Sequence, residues 1–247
     1  MTRTANGRSP LWRRVAGGTL ALAVMLLGGC LYPREGTPGR ETAARDAVLL
    51  VQHAVDRYQE ATGVLPIHNA DETVPVYEKF RVDFGKLKRG GWIAEVPAVA
   101  FEGGGPYVFL IVEEETDPTV RLLDLRVLER IASVERQVAL YLKRNGELPG
   151  GEEVYPGFRA LDYDKLGMRD PGVRSVFSGQ MLTLLVDGQG RVYADYALDV
   201  AEAARRSGAV PDAGEDARRL LVEQSYYVPV KSPAYRWTDG GPVAVSP

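Results

Sequence analysis

The stretch Tyr58-Gln59-Glu60-Ala61-Thr62-Gly63-Val64-Leu65-Pro66 has a counterpart later in the chain, Tyr141-Leu142-Lys143-Arg144-Asn145-Gly146-Glu147-Leu148-Pro149. In both stretches four residues separate the tyrosine from a glycine, and a Leu-Pro pair follows the glycine. A glycine at this place suits a helix C-cap, which needs a positive φ, and the proline prevents the helix from resuming. The pattern therefore predicts two helices that end in the same way.

The residues before each stretch repeat their apolar side chains at spacings of three and four, the period of an amphipathic helix. The first helix is predicted to bury the face made of Ala44, Ala47, Val48, Val51, Ala54, Val55 and Tyr58. The second is predicted to bury the face made of Val127, Ile131, Val134, Val138 and Tyr141. Each helix is therefore expected to pack against a core on one side only.

Two shorter motifs recur in the same order after these helices. Val76-Tyr77-x2-Phe80 recurs as Val154-Tyr155-x2-Phe158, and Asp83-Phe84-x-Lys86-Leu87 recurs as Asp162-Tyr163-x-Lys165-Leu166. The period is near 80 residues, which is longer than the roughly 20 to 50 residues of most solenoid repeats. We therefore predict an internal duplication of one small α+β unit.

Each copy ends in two apolar runs that a turn separates, which is the pattern of an antiparallel hairpin. In the first copy, residues 41–125, the predicted strands are Tyr107–Val112 and Val120–Leu125, joined by an acidic turn at Glu113–Pro118. In the second copy, residues 126–209, they are Leu182–Val186 and Arg191–Tyr196, joined by a turn at Asp187–Gly190. The predicted fold class is α+β: two tandem copies of a helix packed on a small antiparallel sheet, with a C-terminal extension.

The C-terminal extension, residues 210–247, fits neither copy. A short helix is expected at Glu215–Glu223, and the segment Tyr226–Trp237 combines four aromatic residues with two prolines. Aromatic rings are good anchors for a partner protein, but a tail of this kind more often packs across the core of its own chain. We expect the second arrangement.

The first 29 residues have the features of an export signal. A basic segment, Met1–Arg14, precedes the apolar run Val15–Leu27, which is shorter than the roughly 20 residues that a membrane-spanning helix needs. The ending Leu27-Gly28-Gly29-Cys30 resembles the lipobox of bacterial lipoproteins. This resemblance implies cleavage between Gly29 and Cys30, acylation of the Cys30 thiol, a tether over residues 30–40, and a location at the extracytoplasmic face of the cell membrane.

The charge distribution argues against a nucleic-acid partner. The formal net charge is −3 at pH 7, and the leader holds four arginines and no acid, so the body that remains after cleavage is more acidic. Nucleic-acid binding depends on Lys and Arg side chains that neutralise phosphates. The expected partners are the membrane, through the lipid, and an envelope protein.

No residue set predicts catalysis, a cofactor or a metal ion. The two histidines, His53 and His68, are expected at the surface without zinc-ligand spacing. Gly103-Gly104-Gly105-Pro106 lacks the Lys of a phosphate loop and is predicted to be a flexible turn. The acids of Glu113–Asp117 are expected to solvate their turn. We therefore predict that the protein is not an enzyme.

Several of these motifs together resemble the YphF-type lipoproteins of endospore-forming Gram-positive bacteria. They are the lipobox, Gly63–Ile67, the Val-Tyr-x2-Phe and Asp-Phe-x-Lys-Leu segments, and Asp117–Leu125. The resemblance extends from Cys30 to about Val200. It implies an address outside the cytoplasm and carries no known reaction.

Three functional hypotheses follow. The first is a lipid-anchored, non-catalytic binding or assembly module at the outer face of the cytoplasmic membrane. The second is the solute-binding lipoprotein of an ABC importer, although the two-lobed strand and helix alternation of such receptors is absent from the sequence. The third is a cell-wall hydrolase that uses a pair of carboxylates, since spatial pairing among 33 acidic residues is not visible in a sequence.

Overall fold

In a computed structural model that describes residues 1–2, 38–212 and 214–246, one or two helices precede each pair of strands. The helices are α1 (Pro38–Thr62), α2 (Phe84–Arg89), α3 (Leu125–Asn145), α4 (Tyr163–Leu166), α5 (Ala197–Ser207) and α6 (Arg219–Glu223). The strands are β1 (Tyr107–Val112), β2 (Thr119–Asp124), β3 (Gly150–Tyr155), β4 (Phe158–Leu161), β5 (Leu184–Asp187), β6 (Val192–Ala194), β7 (Ala234–Thr238) and β8 (Gly241–Val245). The predicted α+β class is confirmed.

The chain divides into two units, Met1–Thr42 and Ala43–Pro247. In the first unit the described residues are 1–2 and 38–42, and the last five of these are helical. The second unit holds both predicted copies from residue 43 onward and the C-terminal extension. None of the helices in the described segments is long and apolar enough to cross a membrane.

The two predicted amphipathic helices are α1 and α3, and both end as the sequence predicts. The predicted faces are buried except at Ala47, Tyr58 and Tyr141, which are partly buried. Gly63 follows α1 with a φ of +74°, and Gly146 caps α3 with a φ of +73°. Glycine takes this left-handed conformation without the steric cost that a Cβ atom brings, which explains why both helices stop there.

The strands form three antiparallel sheets. β1 pairs with β2, from Tyr107 opposite Asp124 to Val112 opposite Thr119. The order in the four-stranded sheet is β3-β4-β5-β6, and β7 pairs with β8. The predicted hairpins therefore exist, although β2 ends at Asp124, because the Asp124 side chain accepts the Arg126 N–H and begins α3.

Strand β1 lies between two hydrophobic clusters and contributes side chains to both. All six of its residues are buried. Tyr107, Phe109 and Ile111 belong to the cluster around α1, whereas Val108, Leu110 and Val112 belong to the cluster around α3, β5 and β6. Successive side chains of a strand point to opposite faces, so a continuous apolar run can serve both clusters at once.

Backbone and side-chain hydrogen bonds recur at corresponding places in the two predicted copies. The Asp83 N–H donates to Pro66 O at 2.7 Å, and the Asp162 N–H donates to Pro149 O at 2.9 Å. The following lysines repeat this correspondence, because Lys86 Nζ donates to Ile67 O and Lys165 Nζ to Gly150 O. The sequence repeat therefore has a matching repeat of contacts, and the duplication itself stays a prediction.

The C-terminal extension packs across the core of its own chain, as expected. The Leu122 N–H donates to Tyr226 O at 2.8 Å and the Val228 N–H donates to Leu122 O at 3.0 Å, which covers the outer edge of β2. The Ala194 N–H donates to Lys231 O at 2.8 Å, which covers the edge of β6. Unpaired strand edges invite aggregation, so one tail protects an edge in each copy.

The glycine run before β1 forms a turn, as predicted. Gly104 has a φ of +87° and ends a 3₁₀ turn at Phe101–Gly103. A Cβ atom on Gly103 would lie 2.3 Å from the carbonyl oxygen of Pro97, and one on Gly105 would lie 2.1 Å from that of Val99. The backbone is therefore closely packed at these two glycines, and the predicted flexibility of the turn stays a prediction.

Candidate functional site

The first turn of α5 faces a tight turn in the loop between α4 and β5. Within that loop the Ser175 N–H donates to Gln180 O at 2.8 Å, and the Ser175 hydroxyl accepts the N–H groups of Phe177 and Ser178. Ser175 is buried. These bonds satisfy the backbone of the turn locally, in the manner of a Ser-centred turn, and fix its position beside the helix.

A cleft of about 400 Å³ lies between this turn and α5. It is lined by Ser178, Gln180, Leu198, Asp199, Glu202 and Arg206. The lining combines a hydroxyl, an amide, two carboxylates and a guanidinium around one exposed leucine. Convergent polar groups beside an apolar surface are typical of a ligand site, and all six residues belong to the predicted second copy.

Asp199 is the least ordinary residue of the cleft. It is only 4% exposed, and its Oδ1 atom has no hydrogen-bond partner among the described residues. It lies in the first turn of α5, where the helix dipole favours a negative charge. Desolvating a carboxylate without a full set of partners costs free energy, and the unpartnered Oδ1 atom is itself enclosed, with less than 1 Å² of accessible surface.

Glu202 lies one helical turn after Asp199. It pairs with Arg205 and lies near Arg206. Its Oε2 atom pairs closely with Arg205, whereas its Oε1 atom lies 3.9 Å from an Arg206 nitrogen. The longer of these contacts exceeds the range of a hydrogen bond. Oε1 of Glu202 is therefore a second acceptor at the cleft that Arg206 only partly neutralises.

A carboxylate and two tyrosines fix the start of α5. Tyr235 Oη donates to Asp195 Oδ1 at 2.7 Å, and Tyr155 Oη donates to Asp195 Oδ2 at 3.0 Å. The Ala197 N–H also donates to Asp195 Oδ1, at 3.0 Å. Burial, with the charge of Asp195 as a lesser cause, raises the pKa of Tyr235 well above its usual value. Both phenols are therefore protonated near neutral pH and act as structural donors.

Tyr196 connects the two sides of the cleft. Its ring meets the Phe177 ring edge to face, with centroids 5.7 Å apart. Its hydroxyl is buried without a hydrogen-bond partner in the described part of the chain. Burial, and then the negative charge of Asp199, raises the pKa of this phenol. A neutral Tyr196 hydroxyl therefore lies in the electrostatic field of the Asp199 carboxylate.

The residues that sequence reasoning singled out lie away from this cleft or outside the described chain. Cys30 and the Gly29–Cys30 bond lie outside the described residues. His53 and His68 are exposed, on α1 and in the loop that follows it. Among residues 38–212 and 214–246, no group of three or more His, Cys, Asp or Glu side chains could hold a metal ion.

Sequence reasoning missed the cleft because it did not predict α5. The signal in the sequence was Ala197-Leu198-Asp199-Val200-Ala201-Glu202-Ala203-Ala204, in which apolar residues at helical spacing follow Asp195. The buried residues of this helix are Asp199, Val200, Ala203 and Ala204. The sequence signal for a site was therefore Asp199, a single acid on the buried face of an amphipathic helix.

Part of the first predicted copy is similar to a known protein family. Residues 44–124 match the model of the YphF family N-terminal domain, which covers α1 through β2 and therefore nearly all of the first predicted copy. No curated protein and no solved structure matches the chain. Residues 44–124 are therefore similar to the YphF family N-terminal domain, which confirms the predicted resemblance in that segment.

Proposed function

We propose that the second unit, Ala43–Pro247, is a non-catalytic binding module that a lipid on Cys30 holds at the outer face of the cytoplasmic membrane. The observation that carries the binding role is the cleft beside α5, where Asp199 is buried and keeps an unpartnered carboxylate oxygen. The same cleft exposes the Glu202 Oε1 atom, 3.9 Å from Arg206, and a partner that supplies a donor to it gains a charge-assisted hydrogen bond, which is stronger than a neutral one.

The arrangement around the cleft favours binding over catalysis. Two carboxylates line it, as a hydrolase would require, but Glu202 already pairs closely with Arg205 and has Arg206 3.9 Å away. The tyrosines next to it hold the start of α5 through Asp195. These groups stabilise the shape of the cleft, and a rigid, preorganised surface is what a binding module needs.

The anchoring part of the proposal rests on the leader and is tested separately. Cells that express the full chain are grown with labelled palmitate, beside cells that express the Cys30→Ser variant. We expect label in the unsubstituted protein and none in the variant, because the thiol is the acceptor of the diacylglycerol group. Absence of label from both proteins, or a mature mass that retains Met1, contradicts anchoring.

The binding part is tested by placing a photo-crosslinking amino acid at Leu198, which lines the cleft and is 74% exposed. Val64, 58% exposed after α1, is the matched control position. We expect a discrete adduct from Leu198 that is absent from Val64 and is lost in the Asp199→Asn background. The same adducts from both positions, or none from Leu198, contradict the proposed cleft function.

A further inference from the structure

We propose that the C-terminal extension is a folding latch: residues 43–209 hold their native fold only when residues 214–246 are docked on them. The docking surface includes the edges of β2 and β6, and its partner is the extension, either in the same chain or as a separate fragment. This inference concerns folding and goes beyond the proposed binding function. Three kinds of contact support it: buried side chains, edge hydrogen bonds and a strained lysine.

The extension supplies apolar side chains to both hydrophobic clusters of the second unit. Tyr226 and Tyr227 pack against the cluster around α1. Burying several apolar side chains contributes free energy comparable to the net stability of a whole domain. Both clusters are therefore incomplete without the extension. Among its residues in the cluster around α3, β5 and β6 that are at most 3% exposed are Leu220, Leu221, Val222, Val228, Val230 and Tyr235.

The extension also completes the outer edge of a strand in each copy. Leu122 in β2 is fully buried; its N–H donates to Tyr226 O at 2.8 Å, and its O accepts the Val228 N–H at 3.0 Å. In β6 the Ala194 N–H donates to Lys231 O at 2.8 Å. Tolerance to the loss of a segment depends on how much buried and hydrogen-bonded structure that segment completes. We therefore expect neither copy to tolerate loss of the extension.

Lys231 connects the extension to both copies. It has a φ of +52°, a left-handed conformation that is strained for a residue with a Cβ atom. Its N–H donates to Glu78 Oε1 at 3.3 Å in the first copy, and its Nζ lies 2.9 Å from Glu135 Oε2 on α3 in the second. Such strain persists only where the surrounding structure enforces it, so Lys231 takes this conformation when both copies are in place.

An exposed segment joins α5 to the extension. Gly208, Ala209 and Asp212 are exposed, and Val210 is 64% exposed, so the extension can dock as a separate element. Its contacts span long stretches of chain, such as the 153 positions between Glu78 and Lys231, and contacts of this kind form late in folding. The predicted leader sends the extension across the membrane last, which keeps the preceding residues unfolded until then. That consequence rests on the leader, whereas the latch does not.

The test uses the full chain in detergent, with the recognition site of a sequence-specific protease inserted between Ala209 and Val210. After folding and cleavage, we expect the two fragments to elute together from a size-exclusion column with the circular dichroism of the uncut chain. The fragments are then separated in urea and refolded by dilution, beside the uncut chain as a control. We expect the fragment that ends at Ala209 to show no cooperative unfolding transition alone and to regain one when the extension fragment is added.

Two results of this experiment overturn the proposal. The first is a cooperative transition of the Ala209 fragment alone, at a urea midpoint near that of the cleaved protein. The second is failure of the added extension fragment to restore the transition under conditions in which the uncut chain refolds. Crosslinking at Leu198 in the uncut chain depends on neither result, so the latch and the proposed binding function fail separately.

Two variants of the extension fragment give a matched control. Val228→Asp places a charge at a position that is 0% exposed, whereas Val210→Asp places the same charge at one that is 64% exposed. We expect Val228→Asp to raise the fragment concentration needed for half-maximal recovery at least ten-fold and Val210→Asp to leave it unchanged. Equal effects of the two variants overturn the proposal.

Pulsed hydrogen exchange during refolding of the uncut chain gives a further readout. The Val228 N–H bonds to Leu122 O only when the extension has docked. We expect the amides of α1 and α3 to gain stable protection together with the Val228 amide. Stable protection of both helices in an earlier phase overturns the latch.

Discussion

Tyr235 Oη donates to Asp195 Oδ1 at 2.7 Å and, through the same oxygen, accepts the Tyr196 N–H at 2.7 Å. One tail residue thus bonds the two residues that precede α5. Because Asp195 also accepts the Ala197 N–H, the tail fixes where the helix begins and, with it, the position of Asp199. The C-terminal extension is therefore part of the structure that shapes the cleft.

Tyr235→Phe should destabilise the protein substantially. The change leaves the buried Tyr196 N–H without its acceptor and removes one donor from Asp195. An unsatisfied buried polar group costs about 1–3 kcal/mol, so we expect a loss of that size in the free energy of unfolding from urea titrations.

Tyr155→Phe is the matched control for this prediction. Tyr155 donates to the other oxygen of the same carboxylate, at 3.0 Å, but its hydroxyl accepts no backbone N–H in the described chain, and its side chain is only partly buried. We expect a loss smaller than that of Tyr235→Phe. Equal losses from the two variants would show that the Tyr196 N–H bond adds nothing.

Stability should fall as the pH rises above about 10. Burial, as the largest cause, raises the pKa of Tyr77 and Tyr193 to about 12, and raises those of Tyr155, Tyr163 and Tyr196 further. Tyrosines in the unfolded chain lose their protons near pH 10. Above that pH the unfolded state binds fewer protons than the folded state, so the free energy of unfolding decreases with pH.

Urea titrations between pH 8 and pH 11.5 measure this dependence, and tyrosinate absorbance gives the protonation state. We expect a flat profile up to about pH 9 and a decline beyond pH 10. Tyr77→Phe removes one group that titrates in this window and should make the decline less steep. A flat profile throughout, or a tyrosinate signal near pH 10 in the folded protein that Tyr77→Phe reduces, contradicts the burial of these phenols.

Gly105→Ala should cost more than Gly104→Ala. A Cβ on Gly105 would lie 2.1 Å from the Val99 carbonyl oxygen, whereas one on Gly104 would meet no atom within 4 Å. Forced contact in a packed region costs about 1–3 kcal/mol or more, and a left-handed non-glycine residue costs about 1 kcal/mol. Thermal unfolding of both variants measures the difference, and the opposite order would contradict the packed turn.

Leu110→Ala and Ile111→Ala should each destabilise both halves of the second unit. The two residues are neighbours on β1, are 1% exposed, and face different hydrophobic clusters. Removing such a side chain costs about 2–5 kcal/mol. We expect faster hydrogen exchange in both α1 and α3 for each variant, because β1 serves both clusters. Faster exchange confined to α1 in Ile111→Ala, or to α3 in Leu110→Ala, would contradict the claim that β1 stabilises both clusters.

Local sequence features predicted the elements whose causes are local. Gly63 and Gly146 mark the two helix ends, and the apolar run of β1 marks a buried strand, since these signals depend on residues within a few positions of each other. Strand β2 ends one residue earlier than predicted, because capping by Asp124 begins α3 at Leu125. The hairpin β7-β8 was missed. Its turn contains Asp239 and Gly240, but β8 contains Pro242, and a proline within a short run argues against a strand.

Local patterns were enough to predict the α+β class, the ends of α1 and α3, the β1-β2 and β5-β6 hairpins and the family resemblance, because periodicity and turn residues act over short distances. Three other features appear only in the folded chain: one strand contributes to two clusters, the tail covers two strand edges, and Asp199 lies in a cleft. These arrangements join residues far apart in the chain, such as Asp195 with Tyr235, and no local pattern records such a contact. Burial, which depends on all the neighbours together, is the quantity that turned an ordinary helical aspartate into the centre of a candidate site.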